Sequence, residues 1–319
     1  MPVQAPGGRG STVYVSIGGI DQWVQVGGAD SANPILLYLH GGPGGTSVPA
    51  SAAWRPWESH FNVVHWDQRG ASRTFKRNGE DGCGPLSLGR IVADGLELTQ
   101  YLLSTLRLPK VLLVGHSWGS AVGVHMVKRQ PALFSAFVGT GQLVNMRRNE
   151  QVNYQRYLEQ AERRGDAQAL RALRDLGPPP FTRPDGLKIV REWADRLADG
   201  DGDALQPRPM PMSLDFGRDD VPSLLQGMDY SRRALSGDLL GIDLTSLGLA
   251  FEVPMFCFHG ACDQHTPVEL AEQYFERISA PHKEFVRFDG CHHFVAINRP
   301  ELFLQQLLAR VQPWLEASS

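Results

Sequence analysis

Apolar residues along this chain fall into short unbroken runs, divided by glycine-rich turns and by stretches with helical spacing. Ile35–Leu39, Phe61–Trp66, Val111–Val114, Phe134–Val138 and Val253–Phe258 are such runs. A run without polar alternation suits a strand covered on both faces, as in a parallel sheet flanked by helices. Only Thr12–Val26 alternates; it breaks at Gly18-Gly19 and reads as a hairpin. Leu88, Ile91, Val92, Leu96, Leu102, Leu103 and Leu106 recur at helical spacing and predict one amphipathic helix. Ser117 to Arg129 predicts the next, closed by Pro131. A strand at Glu284–Phe288 and a helix from Glu301 to about Leu315 complete the pattern.

Strand and helix in alternation imply a parallel sheet with right-handed crossovers. Between Gly141 and about Ala250 the pattern changes to helices alone. Tyr154, Tyr157, Leu158 and Ala161 mark one face, Leu170, Leu173 and Leu176 a second, and Ile189, Trp193 and Leu197 a third. The expected architecture is α/β: a mostly parallel, doubly wound sheet built from residues 1–140 and 251–319. Residues 141–250 form a helical cap inserted between two of its strands.

Composition narrows the function classes. The 319 residues carry 31 Lys and Arg against 34 Asp and Glu, a net charge of −3. That balance gives no general attraction to nucleic acid or to an acidic membrane. No window approaches the ~18 apolar residues of a membrane span, and Met1–Ile20 holds no continuous apolar stretch, so a soluble, cytoplasmic protein is expected. Cys83, Cys257, Cys262 and Cys291 lack the paired spacing of a zinc site and are too few for a disulfide scaffold. No metal or cofactor is implied, and the expected partner is a small-molecule or short-peptide substrate.

The chemistry concentrates where apolar runs end. Gly115-His116-Ser117-Trp118-Gly119 fits G-x-S-x-G between a strand and a helix. A sharp strand-to-helix turn crowds the backbone, so glycine is needed two positions either side of the serine. The hydroxyl is thereby presented at the positive end of a helix dipole. A serine nucleophile needs a base, and the base an orienting acid. Asp263 follows the run Val253–Phe258, and His292-His293 follows the last strand. His293, seven residues before the helix-opening Pro300, is the preferred base, with His292 as its competitor. Acyl transfer also needs oxyanion donors. The backbone N–H groups of Trp118 and of Gly42, in the loop His40-Gly41-Gly42-Pro43-Gly44, are the candidates. That loop lacks the G-K-[ST] ending of a phosphate-binding P-loop.

Taken together, HGGPG at His40–Gly44, DQRGAS at Asp67–Ser72, GHSWGS at Gly115–Ser120 and the surroundings of Asp263 and His293 resemble the proline iminopeptidase branch of the α/β-hydrolases. The resemblance covers both ends of the sheet domain and fades across the cap. It implies Ser117, Asp263 and His293 as a catalytic triad, Gly42 and Trp118 as the oxyanion hole, and Asp67 and Arg69 as braces beneath the site. It also implies release of an N-terminal residue, often proline, with cap carboxylates holding the substrate ammonium. The chain departs from the family pattern at His116, at Ser72 and at Cys291-His292-His293. Histidine before the serine is also found in esterases and lactonases, the alternative reading.

The cap carboxylates Glu150, Glu159, Glu162, Glu192 and Asp195 are more often surface charges than ligands, and sequence does not choose among them. Trp54, Trp57 and Phe294 are candidates for lining the substrate pocket. Cys262 and Cys291, next to the acid and the base, read as two small buried residues. Asp199-Gly200-Asp201-Gly202-Asp203 imitates a calcium loop but has Ala204 and Met210 where glycine and glutamate belong, so it reads as a solvated linker.

Overall fold

A computed structural model describes residues 11–181, 183, 185–197, 213 and 215–316, the side chains of 194, 195 and 316 excepted. Its strands are β1 (Ser11–Ile17), β2 (Ile20–Gly27), β3 (Ile35–Leu39), β4 (Asn62–Trp66), β5 (Val111–His116), β6 (Phe134–Thr140), β7 (Met255–Gly260) and β8 (Lys283–Phe288). They form one eight-stranded sheet in the order β1-β2-β4-β3-β5-β6-β7-β8. The hairpin β1–β2 and the join β2–β4 are antiparallel, and every other pairing is parallel. From β3 the chain moves outward to β4 and then returns to β5 on the other side. The loops after β3 and β5 therefore diverge and leave a crevice at the carboxyl ends of the strands, the usual ligand site of an open α/β sheet.

The unbroken apolar runs are explained by the two faces. Ile35, Leu37 and Leu39 of β3 pack in one core cluster with Leu102, Val122 and Met126. Leu36 and Tyr38, pointing the opposite way, join a second cluster with Trp54, Trp57 and Phe303. Helices α1 (Ser72–Cys83), α2 (Leu88–Leu106) and α3 (Trp118–Arg129) follow β4 and β5. Sequence periodicity does not reveal α1, whose residues are mostly polar and whose helix is interrupted at Gly79 (φ +69°).

Between β6 and β7 lie α4 (Met146–Arg164), α5 (Ala167–Leu176), α6 (Gly186–Leu197), α7 (Val221–Ala234) and α8 (Ser236–Leu240). Helices α4 to α6 share a core of their own, with Tyr154, Tyr157, Leu173 and Trp193. Helix α7 instead sits on the sheet domain, where Ser231 Oγ donates to the Gly70 carbonyl at 2.9 Å. The calcium-like run 199–203 lies outside the described residues. After β7 come α9 (Val268–Arg277), the short α10 (Val295–Asn298) and α11 (Pro300–Gln306). A π-turn at Leu307–Val311 then leads into α12 (Gln312–Glu316).

Trp54 and Trp57 do not line a pocket. Both are completely buried in a 3-10 segment, Val48–Ser59. Their rings stack 4.9 Å apart, and Trp57 stacks on Phe303 at 5.5 Å. The indole N–H groups donate to the carbonyls of Ala296 and Pro300. An indole has a large apolar body and one polar edge, so it suits a core position beside a helix terminus. Here the pair fastens α10 and α11 to the sheet.

Candidate active site

Ser117 stands at the turn between β5 and α3 with φ +54° and ψ −120°. A non-glycine residue in that region is strained by about 1–3 kcal/mol, and surrounding structure must hold it there. Its N–H donates to the Thr140 carbonyl at 3.0 Å, and its own carbonyl accepts from Ser120 Oγ at 2.6 Å. The two flanking glycines are required by space. A Cβ on Gly115 would lie 2.5 Å from the Gly119 carbonyl oxygen, and one on Gly119 only 2.2 Å from that of Leu39.

Thirty positions separate Asp263 and His293, but the loops after β7 and β8 bring them together. His293 Nδ1 donates to Asp263 Oδ2 at 2.8 Å. The backbone N–H groups of His265 and Thr266 donate to the other oxygen at 2.8 Å each, and Thr266 Oγ1 donates to Oδ2 at 2.8 Å. Burial alone would push this carboxyl up. The neighbouring histidines and these hydrogen bonds overcome that, holding Asp263 well below the usual carboxylate range. His293 Nδ1 thus faces an ionised acceptor, which leaves the lone pair on Nε2. His292 is also buried, but its Nδ1 has no partner among the described residues.

A second histidine shares the carboxylate, and sequence reading missed it inside the apolar run of β7. His259 Nε2 lies 3.3 Å from Asp263 Oδ2 and donates to the Thr266 carbonyl at 2.8 Å. Burial opposes a charge on this ring, while Asp263 and then Cys257 favour one and by electrostatics alone raise its pKa to about 10; the hydrogen-bond geometry points the other way. The Gln142 backbone N–H decides between them, because it donates to Nδ1 at 3.2 Å. An acceptor nitrogen carries no proton, so the ring is the neutral Nε2–H tautomer. The side chain of Gln142 continues to Ser120 Oγ at 3.1 Å, which leads back to the Ser117 carbonyl.

The glycine loop after β3 reaches Ser117 at Gly41, whose added Cβ would lie 3.2 Å from Ser117 Cβ. Gly42 is exposed, with φ +143°. His40, read only as part of the motif, orients this loop. The Gln68 N–H donates to His40 Nε2 at 3.2 Å, so the proton sits on Nδ1 and is donated to the Gly41 carbonyl at 2.8 Å. Within a trans peptide C=O and N–H point in opposite directions, so fixing the Gly41 oxygen also fixes where the Gly42 N–H points. Burial lowers the His40 pKa to about 4 and keeps it neutral. Asp67 takes hydrogen bonds from Thr46 Oγ1 at 2.6 Å and from the Arg73 N–H at 3.1 Å. Arg69 braces more distant parts: Asp94 of α2 at 2.7 Å, and the carbonyls of Cys83 and Gly18.

Phe294 is half-buried, its ring 5.2 Å from that of His116 and 5.1 Å from that of His293. Cys291 is buried, whereas Cys262 is exposed; its backbone N–H donates to the Cys291 carbonyl at 2.8 Å. Among the described residues no group of three or more His, Cys, Asp or Glu is arranged to hold a metal ion. No helix among them is long and apolar enough to cross a membrane.

Helix α4 is sewn to the acid loop. Asn149 and Asn153 both donate to the His265 carbonyl, at 2.7 and 3.1 Å, and Tyr157 donates to that of Gln264 at 2.6 Å. Glu150 lies three residues before Asn153 and seven before Tyr157, on the same side of the helix. Of the five candidate carboxylates, Glu159, Glu162 and Glu192 are exposed, and the side chain of Asp195 is outside the described set. Glu150 is buried, and burial raises its pKa, with Arg191 at 3.9 Å in partial opposition.

A strained serine at the switch point of a parallel sheet, facing loops that carry an acid and a histidine, is the layout of one large class of enzymes. Residues 36–306 match the alpha/beta hydrolase family, and the chain belongs to it. Over 300 residues it is 28% identical to the Probable aminopeptidase YbaC of Bacillus subtilis (strain 168), across 92% of this chain and 93% of that one. The proline iminopeptidase of Mycobacterium smegmatis has the same fold, with a TM-score of 0.65 at 20% identity, covering 97% of this chain and all (100%) of the other. A proline iminopeptidase-related protein from Thermus thermophilus gives 0.62 at 23% identity, over 94% and 96% of the two chains.

Proposed function

We propose that the chain is a serine hydrolase working through an acyl-enzyme, and that it is an aminopeptidase releasing an N-terminal residue such as proline from small peptides or amides. The observation that carries this reading is the hydrogen bond of His293 to the ionised Asp263, with Ser117 on its strained turn beside Gly41. In this mechanism His293 Nε2 takes the proton of Ser117 Oγ as the hydroxyl attacks the substrate carbonyl. Asp263 stabilises the imidazolium. The N–H groups of Trp118, first in α3, and Gly42 receive the oxyanion. His293 returns the proton to the leaving amine, and water then attacks the acyl group by the same path.

Two things support a peptidase: the 28% identity to a protein named as an aminopeptidase, and Glu150 as a buried carboxylate beside the acid loop. A free α-ammonium entering a partly dry site needs such a partner. A carboxylesterase or lactonase is the second reading, favoured by Arg191 already lying 3.9 Å from Glu150. The deciding experiment compares turnover of proline β-naphthylamide, p-nitrophenyl acetate and butyrate, and a simple γ-lactone by the purified protein. Fastest turnover of the prolyl amide sustains the peptidase. Esters or lactone far ahead of every amino-acid amide replace it with the second reading.

A further inference from the structure

The residue before the nucleophile has no part in the chemistry above, yet its side chain is the direct link between nucleophile and base. His116 is buried, and its ring centroid lies 4.6 Å from that of His293. Its Nε2 is 3.1 Å from the His293 carbonyl oxygen, across 177 positions of sequence. A carbonyl can only accept, so Nε2 carries the proton and donates. Nδ1 therefore keeps a lone pair and turns toward the glycine loop, where a Cβ on Gly41 would come within 2.9 Å of it. Burial, and next the proximity of His293, lower its pKa to about 3, so the ring stays neutral through the working range and cannot serve as a second base.

The covalent neighbour of Ser117 thus holds the backbone of His293. The closed path runs from Ser117 to the His116 ring, to the His293 carbonyl, and out along the His293 side chain. A second path reaches the same base from below, through Ser120, Gln142, His259 and Asp263. The lower path sets the direction of the His293 ring through Nδ1. The upper one sets how far its backbone stands from the nucleophile.

Resting on the serine-hydrolase reading, we infer that His116 is a positioning residue, which fixes the distance between His293 and Ser117 by donating its Nε2 proton to the His293 carbonyl. A base displaced by about 1 Å can cost on the order of 100-fold in rate, because proton transfer depends steeply on that separation. Ground-state binding does not depend on it.

The test uses two variants of the full-length protein. His116→Phe keeps the ring and its packing but loses the donor. His116→Gln replaces the ring with a chain that carries an N–H₂ group to a similar reach. With the best substrate of the panel, His116→Phe is expected to lower kcat about 10- to 100-fold with KM within about twofold and an unchanged Tm. His116→Gln is expected to recover at least several-fold of that loss. Labelling of Ser117 by a fluorophosphonate, which also needs the base, should slow in parallel. Wild-type kcat in His116→Phe overturns the inference, as does a loss confined to KM or a His116→Gln enzyme no better than His116→Phe. Ser117→Ala and His293→Ala run alongside as controls: if they remain active, the serine-hydrolase reading fails, whatever His116 does.

Discussion

Nδ1 of His293 donates to Oδ2 of Asp263 at 2.8 Å, while His292, one position away, is buried with its Nδ1 unpartnered among the described residues. The two neighbours therefore have opposite expectations. His293→Ala should lower kcat by at least three orders of magnitude, the usual cost of losing a triad member. His292→Ala should keep most of the activity. Steady-state kinetics on both variants checks this, and the reverse pattern would move the base to His292.

The nucleophile can be identified chemically. A fluorophosphonate probe should label one residue, Ser117, which the elbow holds at φ +54°. Ser117→Ala should neither label nor turn over substrate. It should fold as the wild type does, since the backbone partners Thr140 and Ser120 bond to main-chain atoms. Peptide mapping that finds the label elsewhere would refute the assignment.

In the proposed aminopeptidase, recognition of the substrate amine is assigned to Glu150. Glu150→Gln keeps the shape and removes the charge, so an aminopeptidase should lose about 10-fold or more in kcat/KM for a prolyl amide. N-acetylation of that amide should abolish its cleavage by the wild type. Hydrolysis of a neutral ester should be little affected by Glu150→Gln. Equal effects on amide and ester would exclude a charge-recognition role.

Trp57, entirely buried against Phe303, belongs to the core. Trp57→Ala should cost about 3–5 kcal/mol of stability from the cavity and the lost indole hydrogen bond. The folded fraction should keep the wild-type KM. Urea melts combined with kinetics below the transition would show this, and a raised KM would return Trp57 to the pocket.

Stability should fall on mild acidification. Burial holds His40 and His65 at pKa values of about 4 and His116 at about 3, all below the unfolded value near 6.5. From pH 6.5 down to about 4 the unfolded chain binds protons that the native state refuses. Each of these histidines then costs about 1.4 kcal/mol per pH unit. Asp67, raised by burial to about 6, acts in the opposite sense over much of this window, because its native form accepts the proton first. Glu58 and Glu150, also raised by burial, act with Asp67, and His125, also lowered by burial, acts with the histidines, so the net is a loss on the order of 1–3 kcal/mol per pH unit in that window. Urea midpoints at pH 7.5 and 5.0 should differ accordingly, and an equal or higher midpoint at pH 5.0 would contradict the neutral-histidine assignments.

Much of this was legible in the sequence because it depends on local rules. The unbroken run Ile35–Leu39 suits a strand covered on both faces, and its residues do alternate between two core clusters. Gly115 and Gly119 had to flank Ser117, because any side chain there meets backbone. Other features had no local signal. Trp54 and Trp57 follow the glycine loop in sequence, which suggested a pocket, but their side chains join the core on one face of the sheet and meet Phe303 from the far end of the chain. His40, His116 and His259 look alike as letters. What each does depends on which backbone group faces one of its ring nitrogens: Gln68 N–H, the His293 carbonyl and Gln142 N–H respectively. A histidine's tautomer is set by its partners, and those partners come from remote strands and loops. The sequence alone determined the sheet and the strained turn that presents Ser117; tertiary packing decided which way each imidazole points its proton.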